Sequence, residues 1–228
     1  MHGGRVLWLL DALNVSMDSL QSQHTTFATS NFTGVDDILF RYGAKVNTNL
    51  VMDLQCAKVP IVTGQYQDNI PQMSFYPWNF FPEIHPNSNH IVSDKISPVK
   101  LEFASTIDTT ASSATKTPLL TTSNGTRIMN APVNVSLNML KQKQDPKLFN
   151  AGAKIVALLL EGEFSSAFKN RLTATMEENT QIAFKDFSDS TAMIVVSDGD
   201  IARNDFINGQ ILPLGYDKFT KQMYGNKE

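Results

Sequence analysis

Cysteine is almost missing from this chain: Cys56 stands alone among 228 residues. An internal disulfide and a multi-thiolate metal site are therefore excluded, and cysteine usage says nothing about redox compartment. Basic residues are no more than balanced, with 19 Lys plus Arg against 22 Asp plus Glu, a net charge of −3 and a pI near 5.8. Such a chain lacks the electrostatic footprint of a nucleic-acid or anionic-membrane binder, and no nucleic-acid partner is expected. Long apolar runs are missing too. The longest, residues 6–10 and 155–160, are strand-sized and fall far short of a membrane-spanning helix. No basic region followed by a long apolar stretch opens the chain, because Met1-His2-Gly3-Gly4-Arg5 leads straight into Val6-Leu7-Trp8-Leu9-Leu10. There is no Gly-x-Ser-x-Gly, no glycine-rich phosphate loop and no dinucleotide fingerprint. Ordinary enzyme signatures are absent, no catalytic residue is assigned and no cofactor is expected.

What is present describes a globular chain: 42% hydrophobic residues, 18% charged and 14 Phe. A chain of this length removes roughly 70% of its unfolded surface from water. Without a repeat, a low-complexity tract or a clear linker, residues 1–228 are expected to form one domain. Three apolar runs share a punctuation: residues 6–10 end at Asp11, 155–160 at Glu161-Gly162-Glu163, and 193–196 at Ser197-Asp198-Gly199-Asp200. Continuous hydrophobicity marks strands covered on both faces, which points to an α/β fold: a doubly wound, mostly parallel sheet with helices on both faces. Thr33, Asp36, Ile38, Leu39, Tyr42 and Gly43 read as a capped helix with a glycine stop. Phe164, Phe168 and Leu172 fall on one face of a second helix. Val133, Val135 and Leu137 alternate with Asn134 and Ser136, the period of a half-buried strand, and suggest an antiparallel edge hairpin.

Chemistry concentrates at three places. In a parallel sheet the carboxyl ends of neighbouring strands converge on a ligand-binding crevice, so Asp11, Glu161, Glu163, Asp198 and Asp200 are candidates for an oxygen-only cation or ligand site. Asp and Gly also end strands simply because they make turns. His85 and His90, with Glu83 nearby, are a weak zinc set across a proline loop that fixes no geometry, as against surface or loop-structuring histidines. Cys56 lacks the glycines of a nucleophile elbow and reads as a buried strand cysteine. Between Pro71 and Pro98 an aromatic, proline-rich stretch is expected as a loop, since Pro71, Pro77, Pro82, Pro86 and Pro98 bar a helix. Phe75, Tyr76, Trp78, Phe80 and Phe81 must either cover a core or face a partner.

Several motifs in order resemble one family: Gly3-Gly4-Arg5-Val6-Leu7-Trp8-Leu9-Leu10-Asp11, Leu39-Phe40-Arg41-Tyr42-Gly43, Asp53-Leu54-Gln55-Cys56, Phe75-Tyr76-Pro77-Trp78, Pro86-Asn87-Ser88-Asn89-His90, Leu160-Glu161-Gly162-Glu163-Phe164, Phe168-Lys169-Asn170-Arg171 and Ser197-Asp198-Gly199-Asp200. The chain is similar to the GldG family, auxiliary or nominal substrate-binding components of a gliding-motility-associated ABC transporter of Bacteroidetes. The resemblance implies a non-enzymatic, extracytoplasmic domain of the glutamine-amidotransferase-like or flavodoxin-like kind. It would stand beside an ABC permease and an ATPase and be anchored to the inner membrane facing the periplasm. It carries no catalytic residues over and leaves the oligomeric state open. Against that family, the chain, which opens inside a strand and stops at Tyr224-Gly225-Asn226-Lys227-Glu228, reads as an excised fragment of a longer membrane-anchored protein. Membrane contact is then expected only through segments outside it.

Overall fold

The three apolar runs do form strands, and all three lie in one sheet. In the computed structural model, which describes residues 4–66, 70–86, 90–177, 179–181, 183–207, 209–217 and 222–223, the sheet order is Val6–Leu9, Thr191–Val196, Ile155–Gly162, Thr115–Thr121. Gly3, Asn87, Ser88, Asn89 and the terminal stretch from Tyr224 to Glu228, all named above, lie outside the described residues. Only the Val6–Leu9 and Thr191–Val196 pair is parallel, in register from Val6 opposite Met193 to Leu9 opposite Val196. The other two pairings are antiparallel.

Small antiparallel sheets surround this one. Thr25–Ser30 lies between Val133–Ser136 and Leu13–Asn14, Asn49–Asp53 pairs with Thr126–Asn130, and Ala44–Val46 pairs with Ile107–Thr109. A long hairpin joins Cys56–Gln65 to Pro71–Ile84, and Val99–Lys100 adds to its base. Among the described residues the α-helices are Met17–Gln23, Asp36–Tyr42 and the single turn Ala174–Glu177, with short 3-10 turns at Leu137–Lys141, Pro146–Leu148 and Asp200–Ala202. The expected α/β fold, a doubly wound, mostly parallel sheet of glutamine-amidotransferase-like or flavodoxin-like type, is therefore overturned: the protein is mostly β, built from antiparallel pairings.

The physical reason lies in what a continuous apolar run demands. It demands cover on both faces, but not helical cover. Leu158, Leu160, Met193 and Val195 pack with Leu39 and Tyr42 of the Asp36–Tyr42 helix and with Phe164, while Leu159 and Val196 pack with Val51, Ile84, Leu101 and Ala104. The second layer thus comes from strands and extended chain. The helix expected after Gly162 does not form either. Phe164 donates its N–H to Ser188 Oγ, Ser188 N–H returns to the Phe164 carbonyl, and Ser166 N–H reaches the Asp186 carbonyl. Those backbone groups pair across the chain and not along a helix. Gly43 does stop the Asp36–Tyr42 helix, at φ +117°, with its N–H on the carbonyls of Leu39 and Phe40. Thr33, however, is not its cap; Val35 is, without a side-chain bond.

The aromatic stretch is a 14-residue strand and not a loop. Proline is tolerated in a strand where the missing N–H would have pointed away from the ladder, and this hairpin has outer edges to offer such positions. The base of the strand is core: Trp78, Phe80, Phe81 and Ile84 are at most 4% exposed. Trp78 lies 5.1 Å from Phe80 and Phe81 meets Phe103 edge-on at 5.2 Å, in a cluster with Leu20, Leu50, Met52 and Val135. Phe75, by contrast, is 48% exposed. Trp78→Ala should lower unfolding free energy by about 3–5 kcal/mol, whereas Phe75→Ala should stay within about 0.5 kcal/mol. Urea denaturation of both variants checks the difference.

Candidate functional site

Strand direction decides which acids meet. Because Val6–Leu9 and Thr191–Val196 run parallel, their carboxyl ends coincide, and Leu10 N–H still bonds the Val196 carbonyl beyond the last paired residues. Asp11 therefore reaches the turn Ser197-Asp198-Gly199-Asp200. Its Oδ1 accepts the Gly199 N–H at 2.7 Å, and a Cβ added to Gly199 would stand 2.5 Å from Asp11 Oδ2. Glycine is required there by close approach. Ile155–Gly162 runs the other way, with Glu161 opposite Ala192. Glu161 consequently lies six positions along the neighbouring strand from Asp198, about 20 Å away at strand rise, and both it and Glu163 are exposed. The sheet brings Asp11, Asp198 and Asp200 together and leaves Glu161 at its opposite end.

Asp198 is fully buried. Its Oδ2 accepts the Glu102 N–H at 2.7 Å and its Oδ1 the Asp200 N–H at 2.8 Å. Burial pushes its carboxyl up to about 7, the charges of Asp11 and Asp200 push the same way, and the two N–H donors oppose them. Asp200 is raised as well, first by burial and then by Asp11, Glu102 and Asp18, with Arg203 opposing. Arg203 bonds Asp200 at 3.1 Å and lies 3.7 Å from Glu102, whose other oxygen takes Lys100 Nζ at 2.8 Å. This chain of ion pairs lines a cleft of about 450 Å³ that Pro98, Ile201, Leu214 and Tyr216 help to wall. The cleft mixes both signs of charge with apolar side chains, which suits a small polar ligand. Among the described residues, no group of three or more His, Cys, Asp or Glu is arranged to hold a metal ion.

The other candidates disperse. His85 is exposed, and His90 uses Nδ1 to accept the Val92 N–H in its own turn. The Cys56 thiol is pushed up to about 11, chiefly by burial, then by the charges of Asp53 and Glu83, against a backbone N–H of Trp78. A thiol so held is a poor nucleophile. Of the aromatic candidates, Trp78, Phe80 and Phe81 are core, Tyr76 is half-buried and Phe75 is exposed.

One residue, named above only within the motif Asp53-Leu54-Gln55-Cys56, has a role that the sequence did not announce. Asp53 is fully buried and its carboxylate accepts four hydrogen bonds: from Gln55 N–H and Ser123 Oγ at Oδ1, and from Ser123 N–H and Thr126 Oγ at Oδ2, all between 2.6 and 2.9 Å. Three of these donors lie 70 or more residues along the chain, so no local pattern could have announced them. With the strand Asn49–Asp53 on one side and Thr126–Asn130 on the other, the carboxylate clamps the pair at its end.

Comparison with known proteins gives one result. A family model described as "ABC-type uncharacterized transport system", an ABC transporter auxiliary family, matches residues 1–228. No curated protein and no solved structure matches the chain.

Two outcomes test the electrostatics. The folded Asp198 carboxyl titrates near pH 7 but the unfolded one near 4, so the native state holds the extra proton between them and stability falls as pH rises from about 4 to about 7. Asp198→Asn should flatten that slope, leaving the smaller contribution of Asp200, as read by denaturation at pH 5 and pH 8. Asp53→Ala strands buried donors and should cost about 3 kcal/mol, measured by urea denaturation.

Proposed function

The chain belongs to the ABC transporter auxiliary family over residues 1–228, and from that membership we propose a non-enzymatic, extracytoplasmic component of an ABC transport complex. Its work is done through protein contacts or by presenting a ligand, with an ABC permease and an ATPase as partners. We place it at the inner membrane, facing the periplasm, and assign the system to gliding motility in Bacteroidetes, on the motif resemblance from Gly3-Gly4-Arg5 to Ser197-Asp198-Gly199-Asp200. The 228 residues act as one unit in this reading. The family match along the whole chain is the observation that carries it. The chemistry supports it: the one thiol is held protonated and Asp11 and Asp198 are occupied by backbone amides. Among the described residues no helix is long and apolar enough to cross a membrane.

A second reading, an enzyme or a ligand- or metal-binding module using the acidic carboxyl edge of the sheet, is favoured by one observation, the mixed-charge cleft lined by Lys100, Glu102, Asp198, Asp200 and Arg203. Its metal-binding form ends if calorimetry with Mg²⁺, Ca²⁺ and Mn²⁺ gives no heat beyond dilution.

The leading reading is tested by tagging the full-length protein, cross-linking membranes of the source organism and identifying what co-purifies by mass spectrometry. An ABC permease and an ATPase are expected. Recovery of neither removes the transport-complex assignment.

A further inference from the structure

A 3-10 turn and the long hairpin enclose a pocket that shares no residue with the acidic cleft. The turn, Leu137–Lys141, follows the strand Val133–Ser136 and is pinned at its start: Ser136 Oγ accepts the Asn138 N–H, and the Leu137 N–H bonds the His24 carbonyl. At its end the Gln142 N–H returns to the Met139 carbonyl and the backbone becomes extended. Between this turn with its tail and residues 77–80 of the strand Pro71–Ile84 lies a pocket of about 340 Å³, a volume within the range of small-molecule sites. Of the residues that line it, Met52, Trp78 and Phe80 are at most 2% exposed, whereas Lys141 and Lys143 are exposed. The first three make its floor and the lysines its mouth.

The floor carries a donor with nothing to bond. Trp78 Nε1 is fully buried and has no acceptor among the described residues, although a buried indole N–H ordinarily has one. Asn79, next in the chain, is held by bonds from its amide nitrogen to the Asp53 carbonyl and Cys56 Sγ, and its oxygen does not serve the indole. The Trp8 indole also lacks an acceptor, but it sits among apolar side chains around Leu39 and Met193. A missing bond alone therefore marks no site; at Trp78 it coincides with a pocket. An oxygen acceptor seated there offsets the cost of burying that N–H.

The mouth sets the sign of that acceptor. Lys141 and Lys143 enter none of the ion pairs of the described residues. From Met139 to Lys154 the sequence carries four lysines against one acid, Asp145, in a chain of net charge −3. Asp145 accepts the Lys147 N–H in its own turn, and among the described residues no acid lines the pocket. Cations gathered at the mouth of a low-dielectric pocket draw in an anion. Lysine stems are long and flexible, so both ammonium groups can turn toward a head group held at the floor. Met52, Phe80 and Leu140 offer apolar surface for the rest of the ligand. A carboxylate has the two acceptor oxygens that an indole N–H and an ammonium group together require.

We propose that this pocket binds a small organic anion with an apolar body, of the acyl or aryl carboxylate class. Its head group takes the Trp78 indole N–H and the Lys141 and Lys143 ammonium groups. The site holds or fails separately from the transporter reading, which co-purification tests.

The test reads the proposed donor itself. The chain has two tryptophans, so a nitrogen–proton correlation spectrum shows two indole N–H signals, and Trp8→Phe identifies that of Trp78. Sodium octanoate at neutral pH should move the Trp78 signal downfield and saturably, leaving that of Trp8 in place. Octanol, the same body without charge, should bind about tenfold more weakly. Acetate, the same head group without a body, should be weaker by a similar factor. Lys141→Gln with Lys143→Gln should weaken octanoate binding about fivefold or more, whereas Lys45→Gln, exposed and outside the pocket, should leave it within about twofold. Unchanged Tm values confirm that these surface variants fold. Trp78→Phe keeps a ring and removes the donor, and should weaken binding about tenfold by calorimetry; if it does not fold, the lysine variants decide. The proposal is overturned if octanoate leaves the Trp78 signal in place or if the double lysine variant binds as wild type does. It is overturned equally if octanol or inorganic phosphate moves that signal as effectively as octanoate.

Discussion

The strand Ile155–Gly162 has apolar side chains on both of its faces, and the structure is arranged around the need to keep both from water. From Val156 to Leu160 every side chain is at most 3% exposed. On one side the seven-residue helix Asp36–Tyr42 and Phe164 are joined by Ala44, Ile107 and Ala114; on the other, Val51, Ile84, Leu101 and Ala104 arrive from three separate stretches of chain. Val51 and Ile84 stand on paired strands, while the stretch that carries Leu101 and Ala104 is fixed by backbone bonds outside regular helix or sheet: Leu101 N–H to the Pro82 carbonyl, Val51 N–H to the Ala104 carbonyl, Ser105 N–H to the Ser197 carbonyl. Ser197 Oγ adds a bond to the Ser105 carbonyl. The irregular segment 101–106 thus behaves as a structural layer, tied in through the N–H groups of Leu101, Glu102, Phe103, Ser105 and Thr106.

Acids inside the molecule are held by amides and hydroxyls in preference to cations. Asp53 takes four such donors, Asp198 two and Asp11 one from Gly199. The full cations stay at the cleft surface, where Lys100 and Arg203 bind Glu102 and Asp200. Short-range donors on the backbone cost no side-chain entropy to position, and they fix turn geometry at the same time. Asp198 bridges residue 102 to residue 200 in this way, joining the second layer to the end of the sheet.

Some of this was legible in the sequence, and the reasons divide cleanly. Apolar runs bounded by Asp and Gly marked the strands at 6–9, 155–162 and 191–196, because burial pattern is a local property; the alternation of Val133 and Val135 marked Val133–Ser136, but Leu137 starts a 3-10 helix and the strand pairs with the distant Thr25–Ser30 and not in a hairpin. Direction is not local. Nothing in the run ending at Glu161 says that it lies antiparallel to its neighbour, which is why Asp11 and Asp198 meet but Glu161 does not. Proline misled in the stretch from Pro71 to Ile84: its lack of an N–H forbids a helix, but an exposed hairpin edge has no use for that N–H. The role of Asp53 was illegible, since its donors at Ser123 and Thr126, just before and at the start of the strand Thr126–Asn130, are brought beside it only by folding.

The parallel pairing of Val6–Leu9 with Thr191–Val196 joins the two most distant parts of the sheet; 187 positions separate Gly4 from Thr191, whose hydroxyl bonds the Gly4 carbonyl. A ribosome adding about 5–20 residues each second delivers the partner strand roughly 10–40 s after the first has been made. For that time the apolar sequence Val6-Leu7-Trp8-Leu9 has no neighbour on the side it will finally occupy. The sheet that aligns Asp11 with Asp198 is therefore among the last parts of the molecule that synthesis allows to close. An intermediate lacking it would still hold the hairpin and the Asp53 clamp, whose strands are all complete by Asn130.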